Sequence, residues 1–188
     1  SETASIAVQA SITGHLVVST LHTNDTASSI TRLLDMGIES YLIADATVGI
    51  IAQRLVRRLC PDCKKARPIL EHEAEYLELP REKRSTALLC EPVGCQRCGG
   101  TGYYDRIGVY EIMEITPTLR SMIAKRCSAD ELRQAAINEG MHTMRESAKR
   151  LVLEGITSLS ELQRISMEDQ NEVQDEFVVH GLSSEVSA

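Results

Sequence analysis

Cys60-Pro61-Asp62-Cys63 and Cys95-Gln96-Arg97-Cys98-Gly99-Gly100-Thr101-Gly102 are the stretches on which the reading of this chain turns. A C-x-x-C turn brings two thiolates to one metal, and two such turns complete the tetrahedral four-sulfur shell that zinc favours. The glycines after Cys98 suit a tight knuckle, where backbone N–H groups approach sulfur and some residues need positive φ. The pattern predicts zinc on Cys60, Cys63, Cys95 and Cys98. A redox pair and disulfides are the competing uses of such pairs. The residues contain no secretory leader, so a reducing compartment, and with it metal, is the expected case. Cys90 and Cys127 lie outside the pairs and read as small buried hydrophobes.

Outward from the first knuckle, residues 2–12 read as a helix that stops at Gly14. His15–Leu21 is a β-rich run suited to a buried parallel strand, with His22-Thr23-Asn24 at its C-terminal end. Asn24 or Asp25 can cap a helix that runs to about Met36 and stops at Gly37. A further helix is expected over about 39–59, with Ile43, Val48, Ile51, Ala52, Leu55 and Leu59 on one stripe. Helix–strand–helix order predicts an α/β fold with a mostly parallel sheet. The spacer between Cys63 and Cys95 is 31 residues. It holds a short amphipathic stretch near Glu71–Leu79 and a charged one, Arg81–Arg84.

Beyond the second knuckle a strand is expected at Ile107–Ile112, then a helical bundle. Pro117 suits the first turn of a helix over about 117–127. Ser128-x-x-Glu131, Thr143-x-x-Glu146 and Ser158-x-x-Glu161 are three S/T-x-x-E capping boxes. The expected divisions are 1–59, part of a larger α/β core; 60–102, the zinc module; 103–169, a strand and helical subdomain; and 170–188, an acidic tail expected to be disordered. Phe177-Val178-Val179 is a lone apolar patch in that tail.

The 188 residues are 43% hydrophobic, with a formal charge of −7. Glu168, Asp169, Glu172, Asp175, Glu176 and Glu185 account for most of that charge, so the body is near neutral. A near-neutral body speaks against a nucleic-acid-binding zinc ribbon, which would show a basic face. No apolar run is long enough to cross a bilayer. The chain opens inside a helical pattern, and we expect it to be a C-terminal piece of a longer protein.

Chemistry on residues alone is sparse. His15 and His22 flank the expected strand, which as an extended segment separates them by more than about 20 Å, too far to share a metal. His22 would stand beyond a strand end, where open α/β sheets bind ligands, and a phosphate or polar ligand is the favoured contact. No G-x-x-x-x-G-K-[ST] loop occurs in these residues, and no triad or carboxylate pair stands out. Arg54, Arg57, Arg58, Lys64, Lys65 and Arg67 form a basic run, read first as a solvated helix face and second as a partner or headgroup contact.

Several of these stretches, in order, resemble one family. Thr3-Ala4, Gln9-Ala10, Thr13-Gly14-His15-Leu16-Val17 and Ser19-Thr20-Leu21-His22-Thr23-Asn24 are similar to the segment after Walker B and the histidine box of secretion ATPases. Gln53-Arg54-Leu55-Val56-Arg57-Arg58-Leu59-Cys60 resembles the entry to that family's zinc module. Cys95-x-x-Cys98-Gly99, Gly102-Tyr103 and Arg106-Ile107-Gly108-Val109-Tyr110-Glu111 resemble its exit. Gly155-Ile156-Thr157-Ser158-Leu159-x-Glu161-Leu162 resembles the last helix hairpin. The match spans about residues 1–169, and the family is the GspE/PilB group of type II secretion and type IV pilus assembly ATPases.

The resemblance implies a partial RecA-like P-loop ATPase core whose Walker A loop and Walker B strand lie outside these residues. The parent would be a homo-hexamer using ATP and Mg. It would be cytoplasmic, peripheral at the bacterial inner membrane, and work with inner-membrane secretion platform proteins and no nucleic acid. His15 and His22 match the histidine box, where His22 would sense or contact the terminal phosphate; Arg32 matches an arginine in the helix that follows, with an accessory role or a salt bridge within the fold as its two readings. Glu2 matches a glutamate just after Walker B and is not the general base. Zinc on the four cysteines would be structural. Asp105 stands where the family commonly has Gly, which puts the local turn in question. Type II secretion is the expected system, with pilus assembly or a non-enzymatic zinc adaptor as alternatives. The residues alone are expected not to hydrolyse ATP and to self-associate through an exposed sheet edge.

Overall fold

A computed structural model describes residues 2–166. The acidic tail and its Phe177-Val178-Val179 patch lie outside the described residues. The elements are α1 (Glu2–Ile12), α2 (Thr26–Asp35), α3 (Ser40–Ala46), β1 (Gly49–Leu59), β2 (Lys65–Pro68), α4 (Glu71–Tyr76), α5 (Arg81–Arg84), β3 (Leu88–Glu91), β4 (Tyr103–Glu114), α6 (Pro117–Ala124), α7 (Ala129–Asn138) and α8 (Met144–Leu153). Residues 159–166 are also helical. The result is a mixed helix and strand fold. Two compact units divide it: Ser1–Gln53 with Tyr110–Met144, and Arg54–Val109 with Arg145–Ala188.

Two expectations fail. The 39–59 segment is not one helix: α3 ends at Ala46, and β1 begins at Gly49. Thr47, Val48, Ile50 and Ile51 concentrate β-branched side chains at the junction, and these favour strand. The stripe misled because buried Ala52 and Val56 stand four apart, a spacing that fits period 3.6 and period 2 alike. Ile51 and Leu55, on the same stripe, are 65% and 50% exposed.

The strand expected at 15–21 is also absent. Residues 15–23 carry no regular structure, and Leu16 and Val18 are 92% and 86% exposed. A β-rich composition describes side chains, but the backbone N–H and C=O groups of a strand still need a neighbour to bond. No described strand lies beside this run. The described sheets are therefore two-stranded, β1 with β4 and β2 with β3, rather than one parallel sheet. Ile115 N–H donates to Val48 O at one end of the first pair and Cys60 N–H to Gly102 O at the other, each 2.9 Å, so that pair is antiparallel.

In the first unit, Ile30, Ile43, Met113, Leu119, Ile123 and Leu132 form the core, with Ala4 and Val8 of α1 packed against it. The Ser11 hydroxyl donates to Ala46 O at 2.8 Å. Asp25 caps α2 by accepting from Ser28 N–H at 2.7 Å, and Gly37 ends it with φ +84°. Thr116 caps α6, and Ser128 with Glu131 forms the full box at the start of α7.

In the second unit, β2 and β3 run antiparallel with Lys65 opposite Glu91 and Pro68 opposite Leu88. The chain between them forms α4 and α5. Glu73 accepts from Leu70 N–H and from the Arg67 guanidinium, which also reaches Glu91. Thr157 Oγ1 donates to Arg57 O at 2.7 Å. Glu161, 1% exposed, accepts from Arg57 N–H at 2.8 Å, from the Arg57 guanidinium and from Arg164.

Candidate functional site

The four cysteines meet in the second unit. Cys60 closes β1, and its carbonyl accepts from Cys63 N–H and Lys64 N–H, which curls the first knuckle. In the second, Cys95 O accepts from Gly100 N–H at 2.9 Å and Gln96 O from Gly99 N–H at 3.2 Å. Gly102 shows why glycine is required: its φ is +77°, and a Cβ there would lie 2.4 Å from Pro92 Cβ.

The four Sγ atoms all lie within 4.8 Å of one another. Cys60 to Cys95 and Cys63 to Cys98 are 3.8 Å, and Cys95 to Cys98 is 3.7 Å. All four thiols are free, and these separations are far from the S–S bond length of about 2.05 Å. A tetrahedron with metal–sulfur bonds of about 2.3 Å has an edge of about 3.8 Å. Among the described residues, this is the one group of three or more potential ligand side chains drawn together.

Backbone donors prepare the sulfurs for negative charge. Gly94 N–H donates to Cys63 Sγ at 3.3 Å, and Cys98 Sγ accepts from Cys95 N–H at 3.1 Å and Gly102 N–H at 3.2 Å. Burial raises the Cys98 pKa, but these two N–H bonds together with the Cys95 and Cys63 sulfurs outweigh it and bring the thiol down to about 6. Burial and the neighbouring sulfurs push Cys63 up to about 11. Asp62 and Arg97, one in each knuckle, pair at 2.9 Å.

The exit turn answers the question posed by Asp105. Asp105 adopts φ +71°, and its own Oδ1 accepts from Arg106 N–H at 2.7 Å. Aspartate tolerates the left-handed region because its short side chain bonds locally. The turn therefore forms without the glycine.

In the first unit, His15 and His22 lie in the exposed 15–22 segment. His15 Nδ1 stands 3.3 Å from Ala10 O and 3.1 Å from Thr13 Oγ1. His22 is exposed, four residues before Thr26, and Arg32 is exposed on α2. His22 thus precedes a helix start rather than following a strand. Thr23 Oγ1 and Ser29 Oγ lie 2.6 Å apart, and Asp25 pairs with Arg133.

The basic run lies on two strands, β1 and β2, and the knuckle between them rather than on a helix, and much of it is used internally. Arg57 pairs with Glu161 and stacks 4.0 Å over Tyr103. Lys64 Nζ donates to Gly155 O at 2.7 Å. Arg67 holds Glu73 and Glu91. A cavity of about 590 Å³ in this unit borders Arg67, His72, Glu73 and Glu91, so its cation is already matched by carboxylates. Cys90 and Cys127 are half-buried.

Sequence reasoning missed Glu111 and misjudged Glu161. Glu111, 2% exposed, joins two helix starts, and only its place in the Arg106–Glu111 motif marked it. Glu161 reads as a capping-box residue, but the bonds of its carboxylate go to Arg57 and Arg164.

Residues 1–164 match the family model described as type II/IV secretion system protein. This chain belongs to that family. It is 42% identical over 164 residues to the type IV pilus assembly ATPase TfpB of Acinetobacter baylyi, covering 87% of this chain and 28% of the relative. It is 44% identical over 168 residues to type II secretion system protein E of Aeromonas hydrophila, covering 89% and 33%. This secretion-family chain therefore spans about a third of the length of these curated relatives. Its fold resembles the pilus retraction motor PilT with bound ADP, with TM-score 0.56 and 22% identity over 87% of this chain and 36% of that one. It also resembles the ATPase DotB of Yersinia pseudotuberculosis, with TM-score 0.55 and 21% identity over 88% and 34%. Among the described residues no helix is long and apolar enough to cross a membrane.

Proposed function

We propose that this chain is the C-terminal part of a hexameric ATPase that powers type II secretion by assembling a pseudopilus at the cytoplasmic face of the inner membrane. The observation that carries the reading is 42–44% identity to named pilus-assembly ATPases and type II secretion proteins across nearly the whole described chain. Pilus assembly is the second reading, because relatives of both kinds match at 44%. The secretion lean rests on the Arg57-Arg58-Leu59-Cys60-Pro61-Asp62-Cys63 run and the Gly155–Leu159 stretch.

In this reading His22 faces the terminal phosphate, His15, seven residues earlier, completes the histidine box, and Arg32 assists. The phosphate-binding loop and the Mg ligands come from the part of the relatives that this chain does not span. Leu16, Val17 and Val18 then gain the strand neighbours their backbone needs. Zinc on Cys60, Cys63, Cys95 and Cys98 is structural, because four sulfurs leave no position for water. Its chemistry is to clamp the two knuckles; the residues around it supply N–H donors and the Asp62–Arg97 pair.

ATP turnover tests the division of labour. The 188 residues alone should release phosphate no faster than a buffer blank, and the longer protein containing them should hydrolyse ATP. Turnover by the short chain overturns the assignment of the phosphate loop elsewhere. Elemental analysis should return one zinc per chain.

A further inference from the structure

Glu111 carries a role that neither the cysteine cage nor the histidine segment explains. Its Oε1 accepts from Thr26 N–H at 3.0 Å and from the Thr26 hydroxyl at 2.7 Å, and its Oε2 accepts from Met144 N–H at 3.1 Å. Thr26 and Met144 are the first residues of α2 and α8. A helix start leaves N–H groups without intrahelical acceptors and carries partial positive charge. One carboxylate thus serves two helix starts at once. Thr26 is 0% exposed, while residues 15–22 are exposed and irregular. Between them, Thr23 meets Ser29, and Asp25 meets Ser28 and Arg133. Thr26 is therefore where an exposed, irregular run gives way to buried helix, and His22 stands four residues ahead of it.

We propose that Glu111 is a positioning residue for the histidine segment: by fixing the start of α2 it sets where His22, Thr23 and Asn24 are held for phosphate. The proposal rests on the reading of His22 given above. Glu111 itself touches no nucleotide. A carboxamide at this position cannot accept on both oxygens, because its NH₂ would face an N–H donor.

The test is a double-mutant cycle in the full-length ATPase that contains this chain, with ATP as substrate. Glu111→Gln should lower kcat about tenfold with KM within about twofold, and in the His22→Ala background it should cost almost nothing more. Thr26→Val, which removes one of the three bonds, should lower kcat by a smaller factor, and Thr26→Ser should restore it. An equal loss from Glu111→Gln in both backgrounds overturns the proposal and leaves Glu111 a packing residue. A kcat unchanged by Glu111→Gln also overturns it while leaving His22 in place. If His22→Ala alone keeps full activity, the phosphate reading of His22 fails, and the positioning role fails with it. Should Glu111→Gln not fold, as judged by its melting curve, the Thr26→Val and His22→Ala cycle decides on the same criteria.

Discussion

Glu161 is a buried carboxylate that accepts from the Arg57 backbone, the Arg57 guanidinium and Arg164 in the second unit. Burial alone would raise its pKa, but Arg57 N–H, the Arg57 guanidinium and Arg164 overcome this and hold the carboxyl below its usual range. Glu73 is likewise held low, chiefly by the Arg67 guanidinium. A carboxyl depressed in the folded state contributes stability above its unfolded pKa of about 4.3 and loses it as pH falls through the folded value. The melting temperature should therefore drop on acidification below about pH 4.3, and Glu161→Gln should flatten that acid limb. Glu161→Ala removes the carboxylate that accepts from Arg57 N–H and its guanidinium; because Arg57 is 51% exposed, the expected cost is about 2 kcal/mol, below the usual range for a fully buried pair. Urea titration of the variant measures it. Gly102→Ala combines positive φ with a clash on Pro92, and should lower both metal affinity and melting temperature.

The elements form where local signals and tertiary partners agree. Thr116 accepts from Leu119 N–H and donates to Glu139 at 2.6 Å, so Thr116→Ala should cost about 1 kcal/mol or somewhat more by thermal melting. Ser128→Ala should cost about 1 kcal/mol for the same capping reason. Caps and stops were legible because they are written in neighbouring residues: Asp25 before α2, Pro117 in α6, Ser128 with Glu131, and Gly37. The cysteine cage was legible because two short turns fix their own geometry. The β1 strand was not, since Ala52 and Val56 satisfy two periods and only pairing with β4 selects one. Nor was the state of residues 15–21, whose composition says strand but whose backbone has no described neighbour. Glu111 was hidden for a related reason, as its partners Thr26 and Met144 are distant in sequence.

At the scale of the whole molecule, membership in the secretion family follows from motif order across most of the chain, not from any single site. The thiolate cage should be a structural necessity. Metal removal by a strong chelator should strip hydrogen-exchange protection from β2, β3 and the two knuckles while α6 and α7 keep theirs, because closed thiolate sites contribute folding energy directly. Unchanged melting after verified metal loss would contradict a structural centre. Light scattering should show self-association of the 188 residues that weakens when Leu16 and Val18 are replaced by polar side chains, since both are almost fully exposed.

The ladder that sets Pro68 opposite Leu88 closes the α4–α5 excursion on itself, and α5 buries none of its residues. That leaves an address for the experimenter. A short tag or fluorophore spliced after exposed Ser85 enters a loop whose ends are already stitched together. It would report on the intact protein without touching a single sulfur or either histidine.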